Sequence, residues 1–463
     1  MAGIGFELKR AVHETSYAGT IRGYLFAAVI SSGPWMLSIL TLGLLGVISI
    51  AFLPSQARDL LSATVTHSFA ISLLTTGLIQ MFVTRYLADK LYVNETEAVV
   101  PTFVGVLVLA SAIQFVLMML LYTRTSLPLD YRLPAVALYV AISGIWLSMI
   151  FLSAARDFIS IVVSFAIGYA VSFVAALTLG ARFGPSAYLA GFAGGQVMLL
   201  ALLASRVLAE FDVNSSFGLR RSLAVFGYVR RYPGLLAIGA IYNLAFWIDK
   251  IVFWFSPEGI GVSSYLNVFP AYDTSFFLAS LTLVPALAIF LLNIETDFYN
   301  HYKNFYAGIM NKRGWAEIAE AKEGMIQSVK SSYLTLFKIQ AAIVLLVIAL
   351  APAMLTALGA PQSHWYIFRI AVLAMGVQVF LLDTVTILLY LDMRGSVLIV
   401  SSVFLISNLT FTLVTLRGGY AFYGYGFLYA SLLSLIVAIA LLQNRFANLE
   451  YLTFTRQPLN PEA

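Results

Sequence analysis

Apolar runs of twenty or more residues recur from one end of this 463-residue chain to the other, and they restrict its fold more than any other feature. A helix needs about twenty apolar residues to cross the hydrocarbon core of a bilayer. Only 11% of the residues are charged, against about 25% in a soluble domain. A soluble fold of this length could not cover its surface with so few polar groups. In lipid, every backbone N–H and C=O must find a partner within the protein, which leaves helices and closed barrels. Barrel strands read as short alternating segments. The runs here are continuous, so an all-α membrane protein is expected.

Twelve spans are expected, near Gly23–Phe52, Val65–Leu87, Val99–Leu121, Leu133–Ala155, Ile159–Leu179, Ser186–Leu208, Tyr232–Phe255, Ser263–Leu292, Leu334–Leu355, Ile370–Leu391, Val397–Leu416 and Phe422–Leu442. The first and eighth exceed a straight crossing, so they must tilt, kink or project from the bilayer. The first run is too long for the apolar core of a cleavable signal and is expected to stay as a span. Charge sets the orientation. Of 27 Lys and Arg, Lys250 and Arg369 sit in or beside spans, twenty fall in loops on one side, and only Arg58, Arg124, Arg132, Arg182 and Arg417 fall on the other. The bias keeps its sign along the whole chain, which an error of one helix would have scrambled. Basic loops stay in the cytoplasm, so both termini are expected there, in a bacterial inner membrane. The long segment Arg206–Tyr232 divides the helices six and six. Two bundles, 1–220 and 221–463, are expected around a central cavity, as in many secondary transporters, although no residue-level repeat relates them.

A second long cytoplasmic segment covers 295–332. Trp315, Ile318, Met325, Val329 and Tyr333 fall there at roughly helical spacing, with Lys322, Glu323 and Lys330 between them. The pattern fits an amphipathic helix on the membrane surface or on a partner. It equally fits a plain helical extension into the cytosol. The pairs Arg220-Arg221 and Arg230-Arg231 read as topology determinants or as attractors of anionic lipid.

Ionisable residues inside spans are costly and point to function. Asp249 and Lys250 lie in the outer half of the seventh span, Asp273 in the eighth and Asp383 in the tenth, with Arg369 just before the tenth. They are candidates for a polar pathway. The alternative is a structural ion pair with Lys250 snorkelling outward. Adjacent helical residues diverge by about 100°, so Asp249 and Lys250 need not pair with each other. Aromatics crowd the seventh and eighth spans, Tyr242, Trp247 and Tyr272 among them. They fit either stacking surfaces for sugar rings or an interfacial belt. Gly33-Pro34-Trp35 interrupts the first span, and Pro270 and Pro285 flank Asp273 in the eighth. Proline removes a backbone donor, so Gly33, Pro34, Pro270 and Pro285 are candidate hinges and Trp35 a candidate pathway residue.

Several chemistries are excluded. The chain has no cysteine, which removes disulfides, thiol nucleophiles and thiolate metal sites. His13, His67, His301 and His364 show no metal spacing, and no phosphate-binding loop is present. No cofactor and no catalytic constellation is implied.

The N-terminal block Met1-Ala2-Gly3-Ile4-Gly5-Phe6-Glu7-Leu8 and the segment Ile30-Ser31-Ser32-Gly33-Pro34-Trp35 closely resemble the PelG family, inner-membrane exporters of the Pel exopolysaccharide. The length and the twelve-span plan fit that resemblance. It implies a fold of the multidrug/oligosaccharidyl-lipid/polysaccharide (MOP) flippase superfamily, with two six-helix bundles and alternating access. It also implies an N-acetylgalactosamine-rich glycan, a PelF-like cytoplasmic glycosyltransferase, and PelD-like and PelE-like membrane proteins as partners, in biofilm matrix formation. Three functions stand: polysaccharide exporter, ion-coupled antiporter of drugs or lipid-linked oligosaccharides on the same fold, and non-transporting scaffold for a polysaccharide synthase.

Overall fold

The computed structural model describes residues 17–211, 218–263, 265–357, 361 and 364–455. The block Met1–Leu8 and the side chain of Trp35 lie outside the described residues. Twelve helices among those residues are long and apolar enough to cross a membrane. In the first half these are α1 (Tyr17–Ser49), α2 (Ser55–Tyr92), α3 (Val99–Thr123), α4 (Leu129–Ala155), α5 (Phe158–Phe183) and α6 (Pro185–Glu210). In the second half, α7 (Pro233–Trp254) is followed by α8 (Pro270–Met310). Then come α9 (Trp315–Ala357), α10 (His364–Tyr390), α11 (Arg394–Arg417) and α12 (Tyr425–Ala447), and a short α13 (Leu449–Thr455) ends the described chain. Large apolar side chains such as Leu345 (69% exposed) and Ile436 (65%) stand outward in mid-helix, where lipid covers them.

Each half packs by one scheme. In the first, α5 packs on α6, α6 on α4, α4 on α2 and α3, and α1 on α5. In the second, α11 packs on α12, α12 on α10, α10 on α8 and α9, and α7 on α11. The scheme repeats with a shift of six helices. The two main helix pairs that join the halves, α2 on α7 and α1 on α8, exchange under the same shift. The repeat is thus one of topology, set by which helices pack together.

Small residues set the closest approaches. A Cβ built on Gly239 of α7 would lie 2.0 Å from the Gly77 carbonyl oxygen of α2, and one on Gly77 would lie 2.4 Å from Asn243 Nδ2. Without side chains at these two positions the helix backbones meet, as small residues allow in membrane bundles.

The structure departs from the sequence expectations at several points. The region 295–332 follows the plain-extension reading and not the one of a separate surface helix: α8 continues to Met310 and α9 begins at Trp315, so the two spans extend as a helical hairpin turning at 311–314. Ile318, Met325 and Val329 are buried within the chain. A salt bridge from Lys322 to Glu450, 2.7 Å, also ties α9 to α13. Only Trp315 of that candidate contact set stays exposed, at 63%. Periodicity finds an apolar stripe; it cannot say whether lipid, a partner or the chain's own helix covers it. α1 runs unbroken through Gly33-Pro34. Pro270 does not kink a span but starts α8, where its missing N–H costs nothing. The chain before it forms a small antiparallel hairpin, β1 (Ile260–Ser263) with β2 (Leu266–Val268), where the eighth span was expected to have begun. Pro285 follows a 3₁₀ turn at Ser280–Thr282, and a π-helical turn at Ile294–Phe298 interrupts α8 again.

The turn between α4 and α5 shows how polar groups close helix ends. Arg156 adopts a left-handed conformation (φ 65°), and the Asp157 carboxylate accepts from Ser160 N at 3.2 Å, capping α5. Arg206 at the end of α6 donates to the same carboxylate at 2.5 and 3.1 Å. Burial alone would raise the Asp157 carboxyl; hydrogen bonds from Arg206 and Ser160 outweigh it and hold the group below its ordinary range. A depressed carboxyl adds stability above its unfolded value, and that stability is lost as pH falls through the folded value. Asp157→Ala is therefore expected to cost about 1 kcal/mol at neutral pH. The difference from wild type in thermal melting should shrink as pH falls below the ordinary carboxylate range. A pH-independent difference would contradict this account.

Candidate functional site

A cavity of about 1070 Å³ lies between the two halves. It is at the upper end of the roughly 300–1,000 Å³ typical of ligand pockets. α1, α2, α4, α5 and α6 line it from the first half, and α7, α8 and α10 from the second. Its wall runs from Ser49, Arg58 and Tyr188, near the ends of α1, α2 and α6 on the face poor in Lys and Arg, to Ser153, Phe158 and Leu291, near the basic-rich ends of α4, α5 and α8. Phe69, Trp146 and Phe165 face it from the first half and Tyr242, Phe246, Trp247 and Phe276 from the second.

Both halves bring polar groups to the wall, Arg58 and Asp59 of α2 among them; the hydrogen-bonded cluster on α7, α8, α10 and α11 stands at the wall and behind it. The Asp249 carboxylate is fully buried. Lys250 Nζ donates to its two oxygens at 3.1 and 3.0 Å and to the Phe246 carbonyl at 3.2 Å. Tyr272 donates its hydroxyl to Asp249 Oδ2 at 2.7 Å, and Asn408 Nδ2 reaches Oδ1 at 3.5 Å. Every proton of the ammonium therefore has an acceptor. The rings of Phe246, Phe276 and Phe427 surround Nζ at 5.0, 4.7 and 4.8 Å, a cation–π cage. The pair is adjacent in sequence, yet the long lysine side chain folds back along the helix to close it. Lys250 is 6% exposed and does not snorkel.

Asp273 lines the cavity. It accepts from Trp254 Nε1 at 3.0 Å to each oxygen and from Phe269 N at 3.1 Å. Trp254 stacks in turn on His67 of α2, with centroids 4.2 Å apart, so this carboxylate is held by a bracket that crosses between the halves. On α10, Gln378 also lines the cavity; it donates to the Tyr242 hydroxyl at 3.3 Å and accepts from Ser431 at 3.1 Å.

Of the candidate pathway residues, Lys250, Asp273, Tyr242 and Trp247 meet at this wall, with Pro34 and Pro270 beside them. Asp249 and Tyr272 stand one layer behind. Asp383 is fully buried away from the cavity, and neither of its oxygens has a hydrogen-bond partner among the described residues. Arg369 does not line the cavity either. Sequence reasoning passed over Asn408 and Gln378, and weighed His67 only as a metal ligand. The signal was there for each, a polar side chain inside an apolar run, but amides and a lone histidine rank below charges in such a reading.

Two contacts close the seam between the halves toward the basic-rich face. Ala288 and Leu292 of α8 pack on Ala28 of α1 and on Phe158 of α5. Farther out, Arg85 of α2 and Arg394 of α11 lie over the Tyr232 ring, with Cζ 5.6 and 4.7 Å from its centroid.

The sequence of residues 1–454 matches the family model PelG, described as "Putative exopolysaccharide Exporter (EPS-E)". The chain belongs to this family. No curated protein matches it. Among solved structures it is similar to an outward-facing multidrug resistance MATE family transporter of the MOP superfamily, at 15% identity and TM-score 0.62, covering 92% of this chain and 96% of that one. The inward-facing form of such a transporter gives 14% identity and TM-score 0.61, with coverage of 92% and 99%. A point mutant of the Vibrio cholerae MATE transporter VcmN gives 12% identity and TM-score 0.63, with coverage of 92% and 98%. At these identities the likeness is one of fold: this PelG-family chain has the architecture of MOP-superfamily transporters, and it is a multi-pass membrane protein of an exopolysaccharide exporter family.

Proposed function

We propose that the chain exports an exopolysaccharide by alternating access, the glycan passing through the cavity between the halves 1–220 and 221–463. The observation that carries this reading is the wall itself: aromatic rings from both halves face one large cavity, with the firmly held Asp273 carboxylate among them. Sugar rings offer apolar C–H faces to aromatic rings and hydroxyls to carboxylates, so this combination suits a glycan. Tyr242, Trp247 and Asp273 would touch it. Asp249 and Lys250, a satisfied pair with no net charge, would brace the wall on which those residues stand.

The finer parts of the proposal draw on the resemblance and the charge bias. The polymer is Pel-like and N-acetylgalactosamine-rich, destined for a biofilm matrix. The membrane is the bacterial inner membrane with the basic face cytoplasmic. A PelF-like glycosyltransferase and PelD-like and PelE-like proteins supply the chain from that face. Trp247→Ala removes the largest ring that α7 presents to the cavity. It is expected to lower secreted polymer at least about threefold, the worth of one aromatic stack, at unchanged membrane abundance. Asp273→Asn keeps the shape and removes the charge, and a similar loss is expected. Normal secretion from both variants would overturn the assignment of this cavity to the glycan.

A further inference from the structure

The basic-rich end of α8 carries a row of tyrosines that the cavity does not use. Tyr299, Tyr302 and Tyr306 recur at spacings of three and four, so they share one face of the helix. Their ring centroids lie 6.5 and 4.7 Å apart along the row, and Tyr390 of α10 adds a ring 6.1 Å from Tyr302. Rings packed only for stability become buried, as the neighbours Phe298 (2% exposed) and Phe305 (0%) are. The three tyrosines are only partly buried instead.

Their place in the fold is specific. Leu291 lines the cavity, and Tyr299 follows it eight residues along the same helix, about 12 Å farther toward the basic-rich face. The apolar plug of Ala288, Leu292, Ala28 and Phe158 packs around Leu291, at the end of the cavity nearest the row. Tyr390, which packs on Tyr302, stands two residues before Asp392; the Asp392 carboxylate accepts from Arg394, and Arg394 and Arg85 of α2 lie over one ring, Tyr232. The row therefore borders the seam between the halves, whereas a belt that anchors a helix in lipid would lie on the outer surface.

We propose that Tyr299, Tyr302 and Tyr306 form a stacking platform that holds an extended chain of neutral or N-acetylated hexoses below the plug, ahead of the cavity. The proposal rests on the export reading and adds to it a docking site on the basic-rich side. Rings in a row along one helix face match a polymer whose own rings repeat along its length. When the plug opens, a chain already held here lies in line with α8 and with the cavity wall.

The test uses the full chain in lipid nanodiscs, with hexamers of N-acetylglucosamine and N-acetylgalactosamine as probes and calorimetric binding as the readout. Tyr302→Ala is expected to weaken binding about three- to tenfold, the worth of one lost aromatic stack. Tyr302→Phe keeps the ring and should bind within roughly twofold of wild type. The chain has no cysteine, so Tyr299→Cys gives a single thiol on the platform with Tyr302 intact. Either hexamer should slow its labelling by a maleimide, and a monosaccharide should not. Unchanged binding in Tyr302→Ala together with unprotected Tyr299→Cys overturns the platform. If Trp247→Ala still weakens binding in that case, the export reading survives it. Wild-type protein that binds neither hexamer overturns both. If Tyr302→Ala does not fold, the labelling result alone decides.

Discussion

Lys250→Ala is expected to destabilise the folded chain by about 3–5 kcal/mol, the cost of breaking a buried ion pair from one side. The Asp249 carboxylate is 0% exposed, and without Lys250 its remaining donors are Tyr272 and the distant Asn408 amide. The loss should appear as a large drop in melting temperature of the detergent-solubilised protein and in reduced membrane abundance. Asp249→Asn combined with Lys250→Met removes both charges at nearly constant volume and should recover most of that stability, because a buried pair seldom outperforms an apolar replacement. Export separates two roles for the pair. If it only braces the wall, the double variant secretes polymer in proportion to its abundance. If the double variant is stable and silent, the charges serve transport directly. A Lys250→Ala protein that melts like wild type would refute the closed pair itself.

Gly239→Val is expected to do comparable damage by another route. The new Cβ would meet the Gly77 carbonyl oxygen at 2.0 Å, and backbone cannot swing aside as a side chain can. α2 and α7 would have to part along the contact that joins the halves. Overpacking of this kind costs about 3 kcal/mol or more when the neighbour cannot yield. Gly234→Val on the same helix is the control, since nothing lies within 4 Å of a Cβ built there. It should be neutral or slightly stabilising, because valine is the better helix former by a few tenths of a kcal/mol. Equal melting of the two variants would show that the seam is not held by this approach. Because α2 and α7 meet near the cavity, a Gly239→Val protein that does fold should also secrete less polymer per molecule.

The limits of the sequence reading fall where side-chain partners begin to matter. Asp249 and Lys250 were recognisable as costly residues, but their mutual pairing was not, since neighbours on a helix diverge and only the fold-back of a long side chain joins them. Asp273 was recognisable too, while the Trp254 and His67 that hold it come from separate helices. The tyrosine row on α8 was hidden for a different reason. It lies in a stretch expected to be a cytoplasmic segment of its own, whereas α8 continues into that stretch, past its π-helical turn, to Met310.

The sequence by itself determined the number of crossings, their approximate places and the side on which the basic loops gather. These properties are local: the free energy of placing twenty apolar residues in lipid depends on those residues, and the charge bias depends on the loops between them. The tertiary structure decided how twelve helices pair, that the second six repeat the first six in packing order, and where between them a cavity opens. It also decided which polar groups face that cavity and which are satisfied behind it. Those outcomes depend on the rotation of each helix about its axis and on shape complementarity such as the Gly77–Gly239 approach. Such relations join residues far apart in the chain, and hydropathy along a single strand of sequence carries no record of them.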